Sequence, residues 1–225
     1  NDTYVLTSAW GTADLIVDGG GDDTLNLTLI TDDLTVTLDS GTGLVITDGT
    51  NTLTHPGNVI EHLLGGPGND LYVFHDGAAL AAGMGDIADA AGEDLLDYSA
   101  YTSPVQVDLL LGTATGMVGL SGIEHVYGGS NNDVLKGDSQ DNTLWGHAGD
   151  DQIVGRSGND NLAGGAGNDV LLGNSGNDVY WFAPAVGIEL DLVNESPGQG
   201  TDTLDFSTLN EAINADLTSD TLITA

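Results

Sequence analysis

The sequence predicts an all-β fold, a parallel solenoid built from short flattened coils, and three observations carry that expectation. From Gly128 a glycine recurs every nine residues, at 137, 146, 155, 164 and 173, so that six consecutive units run to Trp181. The sixth position of each unit is an acid or amide: Asp133, Asn142, Asp151, Asp160, Asp169 and Asp178. The eighth is apolar or aromatic: Leu135, Leu144, Ile153, Leu162, Leu171 and Tyr180. Polar and apolar roles never exchange, which marks supersecondary units that stack because none can bury its apolar side alone.

Each unit resolves into a strand and a turn. The last three positions, such as Val170-Leu171-Leu172, are strand formers whose alternation sends the middle side chain inward and its neighbours outward. The first six make a tight turn whose glycines accept positive φ, and Asn131, standing where the fourth-position Gly is missing, is expected to adopt the same conformation. Turn, strand, turn, strand closes one circuit in two units, so units on one side lie 18 residues apart. Successive coils then pair as parallel strands about 4.8 Å apart, stacking the sixth-position side chains into two ladders. One holds Asp133, Asp151 and Asp169; the other holds Glu124, Asn142, Asp160 and Asp178.

Those ladders need a counter-charge. The 225 residues include 35 acids and only 2 basic residues, Lys136 and Arg156, for a formal net charge of -33. Carboxylates about 5 Å apart repel by several kcal/mol at an effective dielectric of ~20, so a bare stack does not hold. The donors at the repeating positions are carboxylates and turn carbonyls, with no imidazole, and the chain has 0 Cys. This hard-oxygen set favours Ca²⁺ over Zn²⁺, Cu²⁺ or Mg²⁺. The same charge argues against a nucleic-acid partner, and the 40% hydrophobic content, regularly spaced, separates the chain from an acidic disordered tail. No run of 18 apolar residues predicts a transmembrane segment.

The units resemble the G-G-x-G-x-D-x-U-x nonapeptide of the repeats-in-toxin (RTX), or haemolysin-type, calcium-binding proteins; Gly164-Gly165-Ala166-Gly167-Asn168-Asp169-Val170-Leu171-Leu172 fits at every position. The resemblance implies a parallel β-roll, or β-solenoid, with Ca²⁺ held between coils by the Asp side chain and carbonyls of the Gly-rich turn. Carried onto this sequence, the implied ligands are Asp133, Asp151, Asp160, Asp169 and Asp178, with turn positions Gly128, Gly146, Gly155, Gly164 and Gly173 and Ser130, Ala148, Ser157, Ala166 and Ser175. Asp70, in the isolated unit Gly65-Gly66-Pro67-Gly68-Asn69-Asp70, joins them. The unit Gly137 to Asn142 lacks both the fourth-position Gly and the Asp, so its rungs are expected to bind weakly or not at all. Three gaps fit the pattern, Asp133/Asp151, Asp151/Asp169 and Asp160/Asp178, and about three to five ions are expected in the array. The resemblance further implies a secreted bacterial protein that folds on meeting extracellular calcium.

A longer repetition frames the array. Asn1-Asp2-Thr3-Tyr4, Asn69-Asp70-Leu71-Tyr72 and Asn177-Asp178-Val179-Tyr180 are three copies of one segment, and Asp94-Leu95-Leu96-Asp97 recurs as Asp202-Thr203-Leu204-Asp205. Asp23-Thr24-Leu25 matches Asp94-Leu95-Leu96, and Ile60-Glu61-His62 matches Ile123-Glu124-His125. The chain therefore reads as a first module at 1–64, a second at 65–122, the nonapeptide array at 123–182 and a third, incomplete module at 183–225. Their spacers contain strand-like alternation, as in Leu34 to Leu38 and Val105 to Leu109, and are expected to continue the roll or cover its side. Ala78 to Ala91 is a candidate helix, against which Gly83 and Gly85 count. The outward Trp145, Ala163 and Trp181 on one face, and Val154 and Leu172 on the other, call for cover by the spacers or by a partner. The ends fall in mid-unit, as in a fragment of a longer repetitive protein or a subunit that stacks head to tail.

No catalytic motif stands out. There is no His-Glu-x-x-His, and Gly119-Leu120-Ser121-Gly122 and Arg156-Ser157-Gly158 both miss the nucleophile-elbow pattern. The acids are spread along every turn rather than paired in one cleft. His62 and His125 recur in the same context, which points to a shared packing or hydrogen-bonding role. Threonine rows such as Thr50/Thr52/Thr54 do not persist over enough rungs for an ice-binding face. The expectation is a non-catalytic calcium-binding structural or adhesive segment, secreted or on the cell surface, with self-association or a surface or matrix component as possible partners; the alternative is an accessory region of a secreted enzyme or toxin.

Overall fold

A computed structural model describes residues 1–8, 10–56, 60–80, 85–184, 189–196 and 198–209. Among them the regular elements are β-strands, with no α-helix. The chain divides into two compact units, residues 1–101 with 111–125 and residues 102–110 with 126–225.

The second unit holds the array. Val134–Lys136 pairs with Gln152–Ser157, and that strand with Val170–Ser175; Thr143–Ala148 pairs with Asn161–Ala166, and that strand with Val179–Trp181. Every pairing is parallel and in the expected register, Leu135 beside Ile153 beside Leu171 and Leu144 beside Leu162 beside Tyr180. These eighth-position side chains form the core and are fully buried, each contributing about 1.5–3 kcal/mol. The spacers add parallel strands at the margins: Gln106–Asp108 on 134–136, Leu192–Val193 on 170–175, and Thr203–Asp205 on 179–181.

Two details of the nonapeptide differ from expectation. The longer strands do not stop at the ninth position but run through the third residue of the next unit, so the turn is confined to positions four to six. The chain accommodates this by taking positive φ at the second position, in His147 (76°), Arg156 (82°), Gly165 (110°) and Asn174 (67°), and again at the fourth-position glycines such as Gly167 (140°). Asn131 is not among the positive-φ residues. Its turn has the Gly149 turn on one side and the spacer on the other, where its Nδ2 donates to the Thr102 carbonyl.

In the first unit Thr3–Thr7, Thr24–Leu29, His62–Leu64, Asp86–Ala88 and Gly119–Ser121 stack in parallel in that order. Leu71–Phe74 lies between Thr35–Asp39 and Leu95–Asp97, parallel to both. Thr35–Asp39 then reverses into Gly43–Thr47 and Thr52–His55, an antiparallel meander beside the parallel strands. The expected helix is corrected: Asp86–Ala88 is a strand, with Ile87 buried in register between Leu63 and Leu120. Residues 81–84 of that candidate lie outside the described residues. His62 hydrogen-bonds Asp86 at 2.8 Å and Asp22 at 3.0 Å, which raises its pKa, chiefly through Asp86. His125 meets Glu93 at 3.3 Å. On the array's outer face Trp145 stacks on His147 at 4.3 Å and Phe182 on Phe206 at 4.7 Å, while Trp181 stays 45% exposed.

Candidate metal centre

The sixth-position residue closes each turn just before the buried strand residue, and its side chain points back under the turn. Asp133, Asn142, Asp151, Asp160, Asp169 and Asp178 are all at most 2% exposed. One carboxylate oxygen has a fixed task. Asp151 Oδ1 accepts the Asp133 amide at 2.7 Å, Asp169 Oδ1 the Asp151 amide at 2.8 Å, Asp160 Oδ1 the Asn142 amide at 2.8 Å and Asp178 Oδ1 the Asp160 amide at 2.8 Å. The spacers prolong both series, with Asp191 accepting from Asp169 at 3.1 Å and Asp202 from Asp178 at 3.0 Å.

The other oxygen has none. Oδ2 of Asp151, Asp160, Asp169 and Asp178 is shut off from solvent and accepts no hydrogen bond. Asp133 differs, since its Oδ2 takes the Gly129 amide at 2.5 Å and its Oδ1 the Val105 amide at 2.8 Å. Asn142 Oδ1 takes the Asp138 amide at 2.9 Å, so that rung is closed within its own turn.

The first-position glycine clears the space in which the free oxygen sits. A Cβ on Gly146 would lie 2.1 Å from Asp151 Oδ2 and 2.7 Å from the Gly164 carbonyl of the next coil. On Gly128 it would lie 2.4 Å from Asp133 Oδ2 and 2.8 Å from the Gly146 carbonyl, and Gly155, Gly164 and Gly173 are equally crowded by Asp160, Asp169 and Asp178. At Gly128 and Gly146 a carboxylate oxygen and a carbonyl thus converge where any other residue would place a methyl group. Of the third-position residues, Ala148 lies beside Ala166 and Ser157 beside Ser175 in register. The Ala166 and Ser175 carbonyls accept the Gly149 and Gly158 amides at 2.8 and 3.0 Å, and Ser130 lies in the turn that meets the spacer. Asp70 belongs to the first unit, where its oxygens take the Leu34 amide at 2.8 Å and the Gly66 amide at 3.3 Å.

Burial, reinforced by neighbouring acids, pushes Asp151 and Asp160 up to about 7 and Asp169 and Asp178 up to about 6. Asp133 is raised by burial alone among its causes. A buried, unpartnered carboxylate oxygen is costly, and a cation removes both penalties at once. The donor set is all oxygen, which suits calcium.

The family model described as the RTX calcium-binding nonapeptide repeat (4 copies) matches residues 118–153, 127–162 and 154–183. Residues 118–183 are an array of RTX calcium-binding repeats. No curated protein matches the chain. In this RTX array the residues that fit the ion are Asp151, Asp160, Asp169 and Asp178, with the Gly164 carbonyl beside Asp151, and calcium, when bound, would supply the positive charge that keeps these acids ionised while buried.

Sequence reasoning passed over Asp191 and Asp202 as rungs, and Asp23 and Asp94 as buried acids. For three of them a signal was present. Asp23, Asp94 and Asp202 open the repeated Asp-x-Leu segments, at the place where a sixth-position Asp precedes its strand.

Proposed function

We propose that this chain is a calcium-dependent structural or adhesive segment of a secreted or cell-surface bacterial protein, with no catalytic role of its own. The four buried, unpartnered carboxylate oxygens of the array carry this reading. A stack that buries ionisable groups in this way assembles where calcium is plentiful and resists assembly where it is scarce, which suits a protein that folds outside the cell. RTX repeats are typical of secreted bacterial proteins. Modules repeated inside 225 residues support a long modular protein over an accessory region of an enzyme. Among the described residues no helix is long and apolar enough to cross a membrane.

The test is far-UV circular dichroism during a Ca²⁺ titration from an EDTA-treated start, with Mg²⁺ as control. A cooperative gain of β signal with Ca²⁺ alone supports the reading. A spectrum already folded in EDTA and indifferent to Ca²⁺ defeats it. Light scattering in the same titration reads head-to-tail association directly.

A further inference from the structure

We propose that Asp70, Asp89 and Asp94 form a calcium site of a second kind, outside the nonapeptide array, and that Asp2, Asp18 and Asp23 form its counterpart. In each trio one ligand oxygen from every residue lies within 4.8 Å of the others. Proximity of acids alone would not make a site, but each trio also contains a fully buried acid with an oxygen left over. Asp94 Oδ1 takes the Asp70 amide at 2.7 Å, while Asp94 Oδ2 has no partner. Asp23 Oδ1 takes the Asp2 amide at 2.6 Å, while Asp23 Oδ2 has no partner.

The third acid sets these trios apart from the array. In Asp89-Ala90-Ala91-Gly92-Glu93-Asp94 and Asp18-Gly19-Gly20-Gly21-Asp22-Asp23, an aspartate occupies the position that is glycine in every array unit. A carboxylate replaces the small residue whose neighbourhood, at Gly128 and Gly146 of the array, offers one carboxylate and one carbonyl. The Asp89 side chain reaches over Gly65, where a Cβ would lie 2.2 Å from its Oδ2. A tyrosine aims it: Tyr72, two residues after Asp70, donates its hydroxyl to Asp89 Oδ2, and Tyr4, two residues after Asp2, donates to Asp18 Oδ2 at 3.2 Å. The wiring recurs at Asp178, Tyr180 and Asp202, where Tyr180 donates to Glu195 and the Asp178 amide to Asp202. Among the described residues that third trio does not bring its acids within the same 4.8 Å.

The phenol is a donor here, so it orients the acid rather than binding the ion. Three carboxylates make a more acidic site than an array gap, and an all-oxygen donor set selects calcium over softer divalent metals. Such a site ties residues 89–94 to the Gly65–Asp70 turn, and 18–23 to the segment at Asp2, at points that no nonapeptide turn pair reaches.

The experiment counts calcium ions bound by the full chain, using equilibrium dialysis with Ca²⁺ alone, in the parent, Asp89→Asn, Asp18→Asn and the double variant. Tyrosine-sensitised Tb³⁺ luminescence provides the second readout, because Tyr72 and Tyr4 contact a proposed ligand. One ion lost in each single variant, two in the double, and a matching fall in luminescence is the expected result. Unchanged stoichiometry in both single variants overturns the proposal and leaves hydrogen-bonded acids with no ion in its place. If Asp89→Asn does not fold, Asp18→Asn reads the same question at the half-exposed first copy. Asp169→Asn serves as the array reference, so failure of the array reading shows there and not in these variants.

Discussion

The backbone amide of Asp160 donates to Oδ1 of Asp178 at 2.8 Å, one coil further along the stack. This bond fixes the rotamer of Asp178 and leaves its Oδ2 against Gly173 with no partner. Asp151, Asp160, Asp169 and Asp178 are each divided in this way: one oxygen locks the coil before it, and the other is held ready for a cation. Folding and ion binding draw on the same side chain, so removing one rung weakens the spacing of the next.

Asp151→Ala is therefore expected to cost more than Asn142→Ala. Asp151 presents a free Oδ2 and receives the Asp133 amide, whereas Asn142 Oδ1 is closed by Asp138. The Asp151 variant should lose at least one bound calcium and about 1.5–3 kcal/mol from the charged hydrogen bond alone. The Asn142 variant should keep the parent's calcium count, and an equal loss in both would overturn the rung assignment.

The array was legible in the sequence because its period is local and strict: the inward Leu144 and Ile153, the buried Asp151 and the 18-residue register all follow from spacing. The strand continuing through His147 and Arg156 was not, since positive φ at a non-glycine residue is set by the pairing it joins, not by its own propensity. Nor was the meander at Thr35–Asp39 and Gly43–Thr47, whose alternation reads the same in either strand direction. The Asp70, Asp89 and Asp94 trio escaped for a third reason. Its members come from two turns, and Asp89 breaks the glycine pattern that makes the other turns recognisable.

Gly146→Ala tests the cleared space without touching a ligand side chain. Its Cβ would meet Asp151 Oδ2 at 2.1 Å and the Gly164 carbonyl at 2.7 Å, so the two oxygens must separate. About 1–3 kcal/mol of destabilisation is expected, together with weaker calcium binding. Gly19→Ala is the control, because a Cβ there meets nothing within 4 Å and its effect should stay within about 0.5 kcal/mol. Thermal melts in saturating and limiting Ca²⁺ compare the two, and equal behaviour would show that the first-position glycine has no bearing on the site.

Arg156→Ala should loosen the spacer strand Gln106–Asp108. The guanidinium makes two 2.7 Å bonds to Asp108, one to each carboxylate oxygen, and a third to the Gly137 carbonyl. The pair is neither fully buried nor fully exposed, so its loss should cost about 1–3 kcal/mol, between the surface and interior limits. Hydrogen exchange at Leu109, whose amide is bonded to the Lys136 carbonyl at 2.9 Å, reports the effect. Unchanged protection there would remove Arg156 as the clamp.

Acidity should act in opposite directions on the calcium-free and calcium-loaded protein. Without metal, burial pushes Asp151 and Asp160 up to about 7 and Asp169 and Asp178 up to about 6, above the usual carboxylate range. The folded state then binds more protons than the unfolded one between about pH 4 and 7, so stability is highest at the acid end and falls as pH rises through that window. With calcium bound, the ligands must be ionised, and protons compete with the ion, so stability falls as pH drops. Melts at pH 5 and pH 8 should therefore show a higher midpoint at pH 5 in EDTA and a higher midpoint at pH 8 in saturating Ca²⁺. The same order in both conditions would mean that these four acids do not couple folding to the ion.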